Sequence, residues 1–185
     1  RGECQLALAG AANIILQPHI HIAYSQSRMM APDGRCKFGD ATGDGYVRSE
    51  GVAVLVLKPL EAARQDGDRV YAVIRGSAVN NDGSSSGSMG RPSRIGQVEL
   101  LQKAYADAGV AASAVGYVEA HGTGTRAGDP VELAAIAEAM SGGSTEGARA
   151  WVGSIKTNFG HTEAAAGLAG LIKAALVVRN EIVPP

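Results

Sequence analysis

One strand–loop–helix plan is stated twice in the C-terminal part of this chain, and it constrains the fold more than any other feature. Residues 115–119 (VGYVE) read as a short strand, followed by the loop 120–128 (AHGTGTRAG) and a helix opening at Asp129-Pro130-Val131-Glu132. Asp at the N-cap, Pro at the first helical position and Glu at the third form a helix-start signal. Residues 151–155 (WVGSI) read as the second strand, followed by the loop 156–161 (KTNFGH) and an Ala-rich helix over about 163–179. Alternating strands and helices imply a largely parallel sheet with helices on its faces. Ligands in such sheets bind where strands end and helices begin. Each loop carries a histidine there: His121 in the first and His161 in the second.

The rest of the chain fits the same α/β class. Segment 4–16 ends in Ile14-Ile15-Leu16 and predicts a buried strand or strand pair. Residues 25–51 hold Pro32-Asp33-Gly34, Gly43-Asp44-Gly45 and Glu50-Gly51, which predict a surface or cleft loop. Residues 52–57 (VAVLVL) are continuously apolar and β-branched, the pattern of a strand covered on both faces, and Pro59 ends it. Residues 69–79 (RVYAVIRGSAV) predict a further strand, and 80–93 a mobile loop by composition. Over 94–108, Ile95, Val98, Leu101, Ala104 and Tyr105 recur at helical spacing and Gly109 supplies a C-cap.

Charge and cysteine usage exclude several function classes. With 17 basic against 18 acidic residues the net charge is -1, so the basic footprint of a nucleic-acid binder is missing. The two cysteines, Cys4 and Cys36, form no Cys-x-x-Cys pair, and neither a disulfide scaffold nor a structural zinc site is expected. No apolar run reaches the roughly 18 residues of a membrane span and no signal peptide opens the chain, so the expected location is cytoplasmic. The 25 glycines, the abundant alanine and the 4% of aromatic residues predict layers packed through small side chains.

Four other chemistries fail on spacing. The glycines of residues 122–128 run G-x-G-x-x-x-G, one residue off the dinucleotide fingerprint. No P-loop occurs, no metal-ligand spacing surrounds His121 and Asp129, and no G-x-S-x-G elbow marks a serine hydrolase. His19 and His21, beside Pro18, read as solvated loop residues. His121 and His161 have two readings: loop histidines bonded to backbone, or paired neutral N–H donors to a developing oxyanion.

The run VEAHGTGT (118–125), then Gly128-Asp129-Pro130, then GSIKTNFGH (153–161) closely resembles the β-ketoacyl synthase (ketosynthase) domains of modular type I polyketide synthases. The resemblance extends to Gly2-Glu3-Cys4, DGRCK (33–37), DGYVRSEG (44–51), and AAAG (164–167) with Leu171-Ile172-Lys173. It implies a thiolase-like layered αβαβα fold, here a partial domain with a mixed, largely parallel sheet. Residues 1–60 would close the N-terminal half, and 61–185 would form an incomplete C-terminal half. It further implies a Cys-His-His site for decarboxylative Claisen condensation of a carrier-bound acyl thioester with a malonyl-type extender. By resemblance His121 and His161 are the catalytic histidines and Lys156 the lysine that orients the site. Asp129 stands behind the first histidine, and Thr123 and Thr125 contact the phosphopantetheine arm of an acyl carrier protein.

The family nucleophile sits in a T-A-C-S-S-type elbow, and this sequence has none; neither Cys4 nor Cys36 matches it. The chain is therefore expected to be the later part of a ketosynthase and inactive alone, since covalent catalysis needs an activated nucleophile. Its expected partners are acyl carrier protein, the remaining ketosynthase segment with adjacent synthase domains, and a second copy in a homodimer. No directly bound cofactor and no metal are expected. The alternative is a non-catalytic ketosynthase-like partner of the chain-length-factor type.

Overall fold

A computed structural model describes residues 4–83, 92–141 and 149–184. Strand β1 (Ala7–Asn13) pairs antiparallel with β2 (Gly51–Leu57), with Ala9 opposite Leu55 and Ala11 opposite Ala53. Between them lie helix α1 (His19–Gln26) and the predicted turn-rich stretch, and the short helix α2 (Leu60–Gln65) follows Pro59. Helix α3 (Arg94–Ala108) starts at Ser93, whose hydroxyl accepts from the Gly96 amide, and ends at Gly109 with φ of 61°. Glycine reaches that left-handed cap without a Cβ clash.

Strand β3 (Tyr117–Glu119) pairs in parallel with β4 (Trp151–Gly153), so the two strand–loop–helix units share one sheet, as their repeated plan predicts. Helix α4 (Asp129–Ser141) follows β3, while the one-turn helix α5 (Lys156–Phe159) and helix α6 (Ala166–Asn180) follow β4. Residues 156–159, expected as loop, are thus helical, and a 3₁₀ turn at Glu163–Ala165 precedes α6. Successive side chains of β3 serve opposite faces. Val118 packs on Ala120, Ile136 and Met140, with Leu101 of α3 against the same cluster. Tyr117 and Glu119 turn instead to Lys173 of α6. Helices α3 and α4 on one face of the parallel β3–β4 pair and α6 on the other give a layered arrangement. Strands β1 and β2 form a separate antiparallel pair, so among the described residues the strands make two two-stranded sheets and not the single mixed sheet expected.

Four local expectations need correction. The run 69–79 joins no ladder among the described residues: its composition favours extension, but a ladder needs a neighbouring strand and β3–β4 supplies none. The segment is held by side contacts instead. The Ser77 amide donates to Asp107 at 2.8 Å, and Arg179 lies 4.6 Å from the Tyr71 ring centroid. The strand over 52–57 is covered on one face only, because Val52, Val54 and Val56 are exposed. Opposite them Leu8 is exposed on β1, and Ile14 and Leu16, expected to be buried, are exposed as well. Finally, His19 and His21 belong to α1, and His21 reaches Arg48 instead of standing in a solvated loop. Residues 84–91, most of the mobile loop expected over 80–93, lie outside the described residues, as do residues 142–148.

Candidate active site

The imidazoles of His121 and His161, 40 positions apart in sequence, meet edge to face with ring centroids 5.3 Å apart and planes at 82°. Parallel pairing brings them together: β3 and β4 run side by side, so the loops leaving their C-terminal ends share one edge. The Ala120 amide continues the ladder to the Gly153 carbonyl at 2.8 Å, which carries the register to the residue before His121.

His121 is fixed through its backbone. Its amide and that of Gly122 donate to the two carboxylate oxygens of Glu132, at 2.6 and 2.9 Å, and the Ser154 hydroxyl donates to its carbonyl at 3.3 Å. Gly122 (φ 49°) makes the turn in a space that a Cβ could not share with Ser154, 2.5 Å away. Asp129, buried at 7% exposure, accepts from the amides of Gly124 (3.1 Å), Thr125 (3.3 Å) and Gly39 (3.1 Å). Its carboxylate therefore ties the GTGT loop to the 33–50 stretch instead of only starting a helix. Sequence reasoning missed Glu132. Its place three residues after Asp129 signalled a capping box, but the carboxylate reaches back to the histidine loop.

His161 is held by different contacts. Its amide donates to the Val47 carbonyl at 2.7 Å, and its carbonyl accepts from the Ser49 amide at 2.9 Å. The Tyr46 ring stands edge-on at 5.5 Å. The Glu163 amide donates to Nδ1 at 2.9 Å, which makes Nδ1 the acceptor and leaves the proton of the neutral ring on Nε2. Loss of hydration, then the charge of Lys156, then His121, hold its pKa down at about 4. Loss of ring hydration and then Lys156 lower the pKa of His121 too. Both rings are therefore neutral at physiological pH.

Lys156, at 4% exposure, is buried at the start of α5 and not on the surface; burial lowers its own pKa. Thr123 and Thr125 lie in the same loop with hydroxyl oxygens 3.2 Å apart, and the Gly128 amide donates to Thr125 at 3.2 Å. Behind the site, Glu119 accepts from the Ile155 amide (2.6 Å) and the Tyr117 hydroxyl, and pairs with buried Lys173 at 3.1 Å. Cys36 is buried, its Sγ accepts from the Val47 amide at 3.2 Å, and burial pushes its thiol pKa up. Those surroundings suit an inert thiol, since a nucleophile needs a lowered pKa. Cys4 is exposed. Among the described residues no three His, Cys, Asp or Glu gather as a metal site, and no helix is long and apolar enough to cross a membrane.

Residues 71–185 match the C-terminal domain of β-ketoacyl synthases, and residues 1–63 match the N-terminal domain. The chain belongs to the β-ketoacyl synthase family. It is 49% identical over 183 residues to one of the phenolphthiocerol/phthiocerol polyketide synthase proteins of Mycobacterium tuberculosis, covering 99% of this chain and 10% of that protein. It is 48% identical over 184 residues to an erythronolide synthase of Saccharopolyspora erythraea, covering all of this chain and 5% of that protein. Among solved structures it superposes on the oxazolomycin ketosynthase domain of Streptomyces albus with a TM-score of 0.92 and 41% identity, over 99% of this chain and 32% of that one. A ketosynthase from module 6 of the bacillaene synthase of Bacillus subtilis gives 0.92 and 38%, over 98% and 33%. The chain thus spans a tenth or less of these synthases and about a third of the solved ketosynthases. The thiolase-like ketosynthase fold is its fold.

Proposed function

We propose that this region supplies the paired oxyanion donors of a complete ketosynthase in a polyketide synthase working in the cytoplasm. The convergence of two neutral imidazoles at 5.3 Å, one with its proton assigned to Nε2, carries the reading. In the proposed reaction a malonyl-type thioester on a carrier protein loses carbon dioxide. The bond from the α-carbon to the carboxylate breaks, and its electron pair moves into an enolate whose negative oxygen accepts from His121 and His161. The carbanion then attacks the carbonyl of an acyl thioester held on a nucleophilic cysteine. A carbon–carbon bond forms, the carbon–sulfur bond breaks, and the β-ketoacyl product leaves on the carrier while the thiolate remains.

An enolate is basic and unstable in water, so preplaced donors are what the step requires. Loss of hydration first, and then the charge of buried Lys156, keep both rings neutral, each with an N–H to donate. In this proposal Asp129 holds the GTGT loop. Thr123 and Thr125 use their remaining hydroxyl capacity on the phosphopantetheine arm of the acyl carrier protein. The cysteine comes from the remaining ketosynthase segment, residues 1–60 and 61–185 serving as portions of the two halves. The exposed apolar face of Leu8, Val52, Val54 and Val56 supports packing against further protein, in which adjacent synthase domains and a second ketosynthase copy take part.

The test is carbon dioxide release from a malonyl carrier by the full-length protein and its His121→Ala and His161→Ala variants. Each variant should fall by about 100-fold or more. Wild-type protein that binds the carrier and releases no carbon dioxide would favour the non-catalytic partner instead.

A further inference from the structure

We propose that Arg48, acting through Glu163, is a positioning residue that sets the orientation and proton location of His161; this rests on the condensation proposed above. The two residues lie 115 positions apart, and neither belongs to the histidine motifs. Glu163 sits at φ of 42°, left-handed backbone that a residue with a Cβ adopts at a cost. That turn aims its amide at His161 Nδ1, 2.9 Å away. A strained turn persists where the surroundings over-determine it. Here the surroundings are a fork: Arg48 Nε donates to Oε1 of Glu163 at 2.6 Å and Nη2 donates to Oε2 at 2.8 Å. The guanidinium is itself held, at 8% exposure, by His21 Nδ1 at 3.1 Å and by the Tyr24 ring at 5.7 Å.

The contacts close a ring. Val47 and Ser49, flanking Arg48, bond the His161 amide and carbonyl, and the Arg48 side chain fixes the turn that bonds the imidazole. One segment thus controls the backbone and the ring of His161 together. Two parallel charge-assisted bonds fix a carboxylate in plane as well as in distance, which a point charge does not. Without the fork the Glu163 turn relaxes, the amide leaves Nδ1, and the ring is free to change tautomer or rotate. A misplacement of about 1 Å can cost on the order of 100-fold in a reaction that depends on alignment.

The experiment uses the full-length synthase with Arg48→Met, Glu163→Ala and Glu163→Gln, and follows the two half-reactions separately: acyl transfer onto the nucleophilic thiol, and decarboxylation of a malonyl carrier. Arg48→Met and Glu163→Ala should lower the decarboxylation kcat by about 10- to 100-fold, with KM and acyl transfer within about threefold of wild type. Glu163→Gln still offers the fork one acceptor oxygen and should recover most of the loss. Decarboxylation within about threefold of wild type in both Arg48→Met and Glu163→Ala overturns the inference. So does a common fall of both half-reactions that follows the loss of thermal stability. Should both variants fail to fold, Arg48→Lys decides: it keeps the charge and loses the two-point fork, so a selective decarboxylation loss is expected and wild-type kinetics overturn the inference. His161→Ala is run alongside: full decarboxylation in that variant removes the condensation reading itself, whereas its loss with intact Arg48→Met removes only the positioning role.

Discussion

Gly122→Ala probes the turn that delivers His121, and its cost follows from two features of that turn. Gly122 has φ of 49°, where an L residue pays about 1–2 kcal/mol. An added Cβ would also lie 2.5 Å from the Ser154 Cβ and 2.8 Å from the Phe38 Cγ, closer than carbon atoms approach. Ser154 is only 2% exposed and its hydroxyl bonds the His121 carbonyl, so it yields little, and overpacking of this kind costs about 1–3 kcal/mol. The sum is about 2–5 kcal/mol. Relief by moving the loop would shift the His121 ring and lower decarboxylation by about 100-fold. Gly116→Ala is the control, because a Cβ there meets nothing within 4 Å and its φ is not left-handed. Urea unfolding of the complete ketosynthase, with carbon dioxide release measured on the same samples, reads both effects. A Gly122→Ala loss below about 0.5 kcal/mol, or equal to the control, would refute the reasoning.

Three further outcomes are expected. Lys173→Met leaves the Glu119 carboxylate buried without its cation and should destabilise by about 3 kcal/mol, less if Glu119→Gln accompanies it, as a double-mutant cycle would show. His161 folds with a pKa of about 4, below its ordinary value, so an unfolded chain takes up the proton first as pH falls. Stability from this group is therefore complete well above pH 6.5 and lost between about pH 6.5 and 4. After discounting for solvent, wild type should lose about 1 kcal/mol more than His161→Gln between pH 7 and 5 in urea unfolding, and an equal loss contradicts it. Lys156→Met should raise the His161 pKa, since removing the nearby charge removes a cause of its depression; a fall in the imidazole NMR titration midpoint would contradict this.

Much of the site was legible because its chemistry is local in sequence. EAHGTGT places its histidine just beyond β3 and NFGH places its own after the one-turn helix that follows β4, and parallel pairing of β3 with β4 brings the two connections together. Helix α3 was legible from end to end, since its apolar spacing and Gly109 are local signals. What local pattern could not give was pairing and partners. Residues 69–79 have strand composition, yet no ladder forms without a neighbour among the described residues. Val52, Val54 and Val56 look like interior residues, but burial depends on what covers them. Glu132 hid behind a capping signal, and Arg48 and Glu163 are joined only by the fold, as are His21 and Arg48.

The central claim is that His121 and His161 together stabilise an enolate. Its most direct test is the rate of carbon dioxide release from a malonyl carrier by full-length protein in which each histidine, and then both, is changed to alanine. Paired donors to one oxygen act as a unit, so each single change should cost about 100-fold or more and the double change should cost far less than the product of the singles. Single variants that release carbon dioxide at the wild-type rate, or losses that multiply independently in the double variant, would contradict the account.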